Sequence, residues 1–98
     1  MIKIAFINWW STGENDFFRL FIEKYLGIKT KIVKDDPDIM FFSVFHRISP
    51  QDYARNNKNI KLKIFFTGED TTAQTSRGRN FDDYYLKFAD IALGFKFL

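Results

Sequence analysis

Residues Ile39 to Phe45 read Ile-Met-Phe-Phe-Ser-Val-Phe, seven positions with one polar member. The acidic turn Asp35-Asp36-Pro37-Asp38 precedes this run, and Ser49-Pro50 follows it closely. The run is far short of the ~20 residues a membrane helix needs. It also lacks the apolar–polar alternation of a half-exposed strand. Its length and branched or aromatic content predict a central strand covered on both faces. A strand of that kind belongs in a parallel sheet, whose crossovers supply the covering helices.

The rest of the chain fits that frame. Ile2–Ile7 predicts a buried strand, with Lys3 its one charge. Ser11, Thr12 and Gly13 break the pattern, and Asn15 is the expected N-cap of a helix from Asp16 to Leu26, with Asp16 at the positive end of its dipole. Phe18, Phe21, Ile22 and Tyr25 recur at helical spacing and predict one apolar face, and Gly27 supplies the stop. Ile28–Val33 alternates with Lys29 and Lys31, the pattern of a strand at a sheet edge. Ser49 and Pro50 form an N-cap and N1 pair for a short helix to Arg55, which Asn56-Asn57 ends. Leu62–Phe66 and Ala89–Phe95 predict two further strands. Between them, residues 70–80 read as a mobile polar loop, and residues 81–88 as a short helix or irregular turn. The expected fold is therefore α/β: a three-layer, Rossmann-like domain with a mostly parallel sheet and right-handed crossovers, spanning residues 1–98 as one unit. The chain ends almost on its last strand, which leads us to expect more protein after Leu98.

Composition narrows the partners. Thirteen Phe exceed what one small sheet readily hides, so some are expected to line a groove or meet another domain. A net charge of +3 is mildly basic. Most Phe sit at core periodicities, however, so no nucleic-acid partner is expected. With no Cys in the chain, disulfides and thiolate chemistry are excluded, which suits a reducing, cytoplasmic setting. Met1 leads straight into a strand, so no signal peptide is expected.

In an open parallel sheet, ligands bind beyond the carboxyl ends of the strands. Two unusual tripeptides are expected there: Asn8-Trp9-Trp10 after the first strand and Thr67-Gly68-Glu69 after the fourth. Adjacent Trp residues point to opposite sides, so one ring is free to serve as a platform for a pyranose face. The alternative is that both rings cap the first helix or a domain seam. Glu69 follows Gly68, whose freedom suits a turn that aims a carboxylate across the sheet's end. It is either a general base or a solvated loop residue paired with Arg77 or Arg79. No metal site is expected. His46 is the single His, and Asp35, Asp36 and Asp38 surround Pro37 in a turn. Gly13 stands alone, so no dinucleotide fingerprint is present, and no phosphate-binding Gly-rich loop occurs.

These residues resemble a known family. Lys3-Ile4-Ala5-Phe6-Ile7-Asn8-Trp9-Trp10 looks like the opening strand of bacterial α-1,3-fucosyltransferases of glycosyltransferase family 10. Ile64-Phe65-Phe66-Thr67-Gly68-Glu69 is similar to their second signature, and Asp90-Ile91-Ala92-Leu93-Gly94-Phe95 resembles the strand that follows it. The resemblance implies an inverting GT-B enzyme with two Rossmann-like domains facing a cleft. The N-terminal domain would hold an N-acetylglucosamine- or glucose-containing glycan acceptor, and a C-terminal domain of the same enzyme would bind GDP-fucose. No cofactor is implied. Glu69 maps onto the family's catalytic base, with Asn8, Trp9, Trp10, Thr67 and Gly68 on the acceptor side. The family's donor-side motif, a Tyr-Val-Thr-Glu-Lys-like stretch, does not occur in these residues, so residues 1–98 alone are expected to be inactive. Peripheral association with the inner face of a membrane would come through segments outside them. The competing expectation is a stand-alone, noncatalytic α/β module that binds a sugar or protein through Trp9, Trp10 and its Phe-rich surface.

Overall fold

A computed structural model describes residues 1–10, 12–43, 47–70 and 88–95, with residues 67–70, 94 and 95 described by backbone alone. His46, Arg77, Arg79 and residues 71–87 lie outside the described residues, and with them the expected loop beyond Asp70 and the element expected before Phe88.

The elements run β1 (Ile2–Ile7), α1 (Phe17–Tyr25), β2 (Thr30–Ile32), β3 (Ile39–Phe42), α2 (Pro50–Asn56), β4 (Leu62–Asp70) and β5 (Ile91–Phe95). All pairings are parallel, in the order β2-β1-β3-β4-β5. The apolar run through Phe42 is indeed the middle strand, and the lysine-flanked strand is an edge. This order reverses direction between β1 and β3, the point at which a doubly wound sheet opens a crevice at its carboxyl end.

Strand alternation sorts the core into two faces. Ala5, Ile7, Met40, Phe42 and Phe65 pack under Tyr53 of α2, with Phe88, Ala89 and Ala92 against the same cluster. Ile4, Phe41 and Trp9 pack under Phe18 and Ile22 of α1, with Phe6, Ile64 and Phe66 alongside. The result is a three-layer α/β/α domain of Rossmann-like type. Among the described residues, no helix is long and apolar enough to cross a membrane.

Three local expectations change. The N-cap of α1 is Asp16 and not Asn15. Asp16 has extended backbone, and its Oδ1 accepts the Phe18 N–H at 2.8 Å. Asn15 belongs to the preceding turn, in which the Asp16 N–H reaches the Gly13 carbonyl. The expected single apolar face of α1 is also divided: Phe18 and Ile22 reach the core, but Phe21 and Tyr25 are 43% and 67% exposed. Finally, β4 does not stop at Phe66 but continues to Asp70. At the far end of α1, Gly27 has φ 66°, and the Ile28 N–H bonds back to the Ile22 carbonyl, the wrapped C-terminus that glycine permits.

Polar groups tie the layers together. Glu23 Oε2 accepts both the backbone N–H and the hydroxyl of Thr30, which in turn accepts from Arg19 Nε. The Thr30 backbone N–H, then its hydroxyl, holds the Glu23 carboxyl below its ordinary range. The Lys3 backbone N–H does the same for Asp38 at the start of β3. Tyr53 donates to the Lys34 carbonyl, and burial, helped by Asp35 and Asp36, pushes its hydroxyl up to about 12.

Candidate functional site

The register sets the heights of the strand ends. Ile7 of β1 is level with Phe42 of β3, and Phe42 with Phe65 of β4. From that level, β4 runs on through Phe66 to Asp70. It therefore overhangs β1 and β3 by roughly 15 Å, at about 3.3 Å per residue. Within this overhang the pairing slips: Phe66 faces Leu93, but Asp70 faces Phe95. Thr67, Gly68 and Glu69 thus oppose the single residue Gly94. The tripeptide expected beyond a strand end is instead a bulge inside one. Bulges of this kind occur beside active sites, where they re-aim side chains out of strict alternation.

Asn8-Trp9-Trp10 leaves the end of β1 beside this overhang. Asn8 has φ 54°, a left-handed conformation that asparagine tolerates better than most residues. Its buried amide clamps the chain entering α2: Oδ1 accepts the N–H groups of Arg47 and Ile48, and Nδ2 donates to the Ile48 carbonyl. The Asn8 amide is thus engaged with backbone, and its contribution is to position the Trp pair. The left-handed residue also breaks alternation. Trp9 would otherwise join Ala5 and Ile7 on the α2 face, but it lies with Ile4 and Phe41 on the α1 face.

The two indoles then part company. Trp9 is 4% exposed, and its ring centroid lies 5.1 Å from Phe6 and 6.1 Å from both Phe18 and Phe66. Its indole N–H donates to Asp16 Oδ2, so one carboxylate both caps α1 and holds Trp9. Gly13 closes the turn above: at φ 91°, a Cβ there would sit 2.3 Å from the Phe6 ring. Trp10 is 48% exposed, edge-on to Trp9 at 4.9 Å and 5.8 Å from Phe66. Phe66 touches both indoles and immediately precedes Thr67, so it links the two tripeptides.

Sequence reasoning missed two contributors. Ser43, the one polar member of the apolar run, follows β3 at the crevice between β1 and β3. It is fully buried, and its Oγ has no hydrogen-bond partner among the described groups. A single polar residue within an otherwise apolar run was the available signal. Phe66 was read only as strand. Two open grooves lie elsewhere, beside β2. One is lined by Glu14, Arg19 and Thr30, the other by Glu23, Gly27 and Lys29. Glu14, Arg19, Glu23 and Thr30 are engaged with one another there. Among the described residues, no cluster of three or more His, Cys, Asp or Glu could hold a metal ion.

Asn8→Ala is expected to destabilise the domain by about 2–3 kcal/mol. It strands three buried or half-buried backbone groups and places Ala at positive φ. Denaturant unfolding measures the loss; a change under 0.5 kcal/mol would mean the clamp is dispensable.

Comparison with protein-family models, with curated proteins and with solved structures finds no match.

Proposed function

We propose that this chain is the acceptor-side domain of an inverting fucosyltransferase, which transfers L-fucose from GDP-fucose to a hydroxyl of an N-acetylglucosamine- or glucose-containing glycan. The observation that carries this reading is the meeting of Trp10 and the bulged overhang of β4 across Phe66. An exposed indole, fixed by two other rings, suits the apolar face of a pyranose. A carboxylate on an adjacent bulge suits proton removal from a hydroxyl of that same sugar. The motif resemblance at Asn8-Trp9-Trp10 and Thr67-Gly68-Glu69 names the transferred sugar; the geometry supports only the acceptor half.

In this mechanism Trp10 seats the acceptor ring, with Trp9 and Asn8 holding Trp10 in place. Glu69 takes the acceptor hydroxyl proton as the oxygen attacks the fucose anomeric carbon and GDP leaves from the opposite side. Thr67 and Gly68 set the direction of Glu69. GDP-fucose is held by a second domain of the same enzyme, and no metal or cofactor is required of this one.

Titration of the chain with N-acetylglucosamine oligosaccharides, followed by Trp fluorescence, is expected to show weak saturable binding. Calorimetry with GDP-fucose is expected to show none. Micromolar GDP-fucose affinity would overturn the division of labour, and indifference to all of these sugars would overturn the acceptor role.

A further inference from the structure

Among the described residues, α1 covers only part of its face of the sheet. Arg19 and Glu23 turn toward β2, where both meet Thr30, while Phe18 and Ile22 press on the sheet. At 100° per residue, Phe17, Phe21 and Tyr25 then form the flank facing β4 and β5, and Leu20 and Lys24 form the crest. The flank rings follow one another along the helix at 6.1 and 5.2 Å. Among the described residues, no element covers the floor beside this wall either. Ile91 and Leu93 pair with Ile64 and Phe66 and so lie on the α1 face, 43% and 44% exposed. Phe88 and Ala89, just before β5, pack on the other face. Wall and floor make an apolar trough with Trp10 at its carboxyl end.

We propose that a second copy of this chain fills the trough, its α1 lying antiparallel beside the first, with a two-fold axis between them. Three features select this occupant. First, the apolar surface does not stop at the flank but continues over the crest at Leu20, 48% exposed. A lone foreign helix beside α1 would cover flank and floor but leave the crest bare, whereas a second copy covers all three. Second, the area suffices. At roughly 200 Å² per large side chain, the exposed parts of Phe17, Leu20, Phe21, Tyr25, Ile91 and Leu93 come to roughly 600 Å². That matches the apolar part of a standard interface of about 800 Å² per partner. Third, the floor is recessed by about a helix thickness below the crest, so a flat lipid surface touching Leu20 would not reach Leu93. Lys24, the one charge on crest and flank, lies over the Tyr25 ring and leaves the flank apolar. In the pair, each Leu20 crest rests on the partner's β5 floor. This inference is independent of the fucosyltransferase reading.

Sedimentation equilibrium of the chain over about 5–500 µM tests it. The expected result is a concentration-dependent mass rising toward twice 11.7 kDa. Leu20→Glu and Leu93→Glu, each confirmed folded by circular dichroism, are expected to weaken association by about a hundredfold. Arg55→Glu on the exposed surface of α2 should leave it unchanged. The double variant L20E/L93K should restore the pair, because crest and floor then carry opposite charges. A wild-type chain that stays monomeric at the highest concentration overturns the proposal, whether or not it binds vesicles. So does a folded Leu20→Glu or Leu93→Glu variant that associates as before, or a double variant that remains monomeric.

Discussion

Trp9→Ala is expected to cost about 3–5 kcal/mol, the range for removing a large buried aromatic. That is a large share of the 5–15 kcal/mol that holds a typical domain together. Trp9 is the hub of the α1 face, with Phe6, Trp10, Phe18, Phe41 and Phe66 all around its ring. Its removal also leaves Asp16 without the indole donor and weakens the cap of α1. Thermal unfolding should shift by tens of degrees, or lose cooperativity altogether. Trp10→Ala should behave differently. That ring is half exposed, so truncation should cost about 1 kcal/mol or less in stability while weakening glycan binding by ~1–2 kcal/mol. Thermal scans and sugar titrations of the two variants, run side by side, separate the roles. Should both merely destabilise to a similar extent, Trp10 is packing and the platform reading fails.

How much of this was readable beforehand depended on whether the cause was local. The bounds of β1, the Ser49-Pro50 start of α2 and the Gly27 stop of α1 all follow from neighbouring residues, and all are found. The edge position of β2 followed from its flanking lysines and the central position of β3 from its apolar run. What escaped was set by distant partners. The overhang of β4 depends on pairing with β5, twenty and more residues later, so an apolar run ending at Phe66 hid its true length. The side to which Trp9 turns depends on Asn8, whose left-handed backbone is held by Arg47 and Ile48. The divided face of α1 was hidden for a different reason. Its helical spacing is genuine, but Phe21 and Tyr25 point over a part of the sheet that no described element covers.

The same non-local pairing bears on Glu69. In an enzyme joining this domain to a GDP-fucose-binding domain, Glu69→Gln is expected to lower turnover by roughly 10²–10⁴-fold, the usual contribution of a placed general base. A sugar hydroxyl is too weak an acid to attack unaided near neutral pH, and Gln keeps the shape of Glu while removing its basicity. The backbone favours such a role. Glu69 lies in a bulge that projects past the ends of β1 and β3, on the strand whose Phe66 supports Trp10. Donor affinity should be nearly unchanged, because the proposed mechanism assigns the donor contacts to the other domain. The loss should therefore fall on kcat with saturating GDP-fucose, the pattern of an interaction made in the transition state. A noncatalytic module, or a Glu69 that merely pairs with Arg77 or Arg79, predicts something else: a stability change of ~1 kcal/mol or less and ordinary turnover. Steady-state kinetics with donor held saturating distinguishes the two, and a Gln variant that keeps most of its activity would remove Glu69 from the role of base.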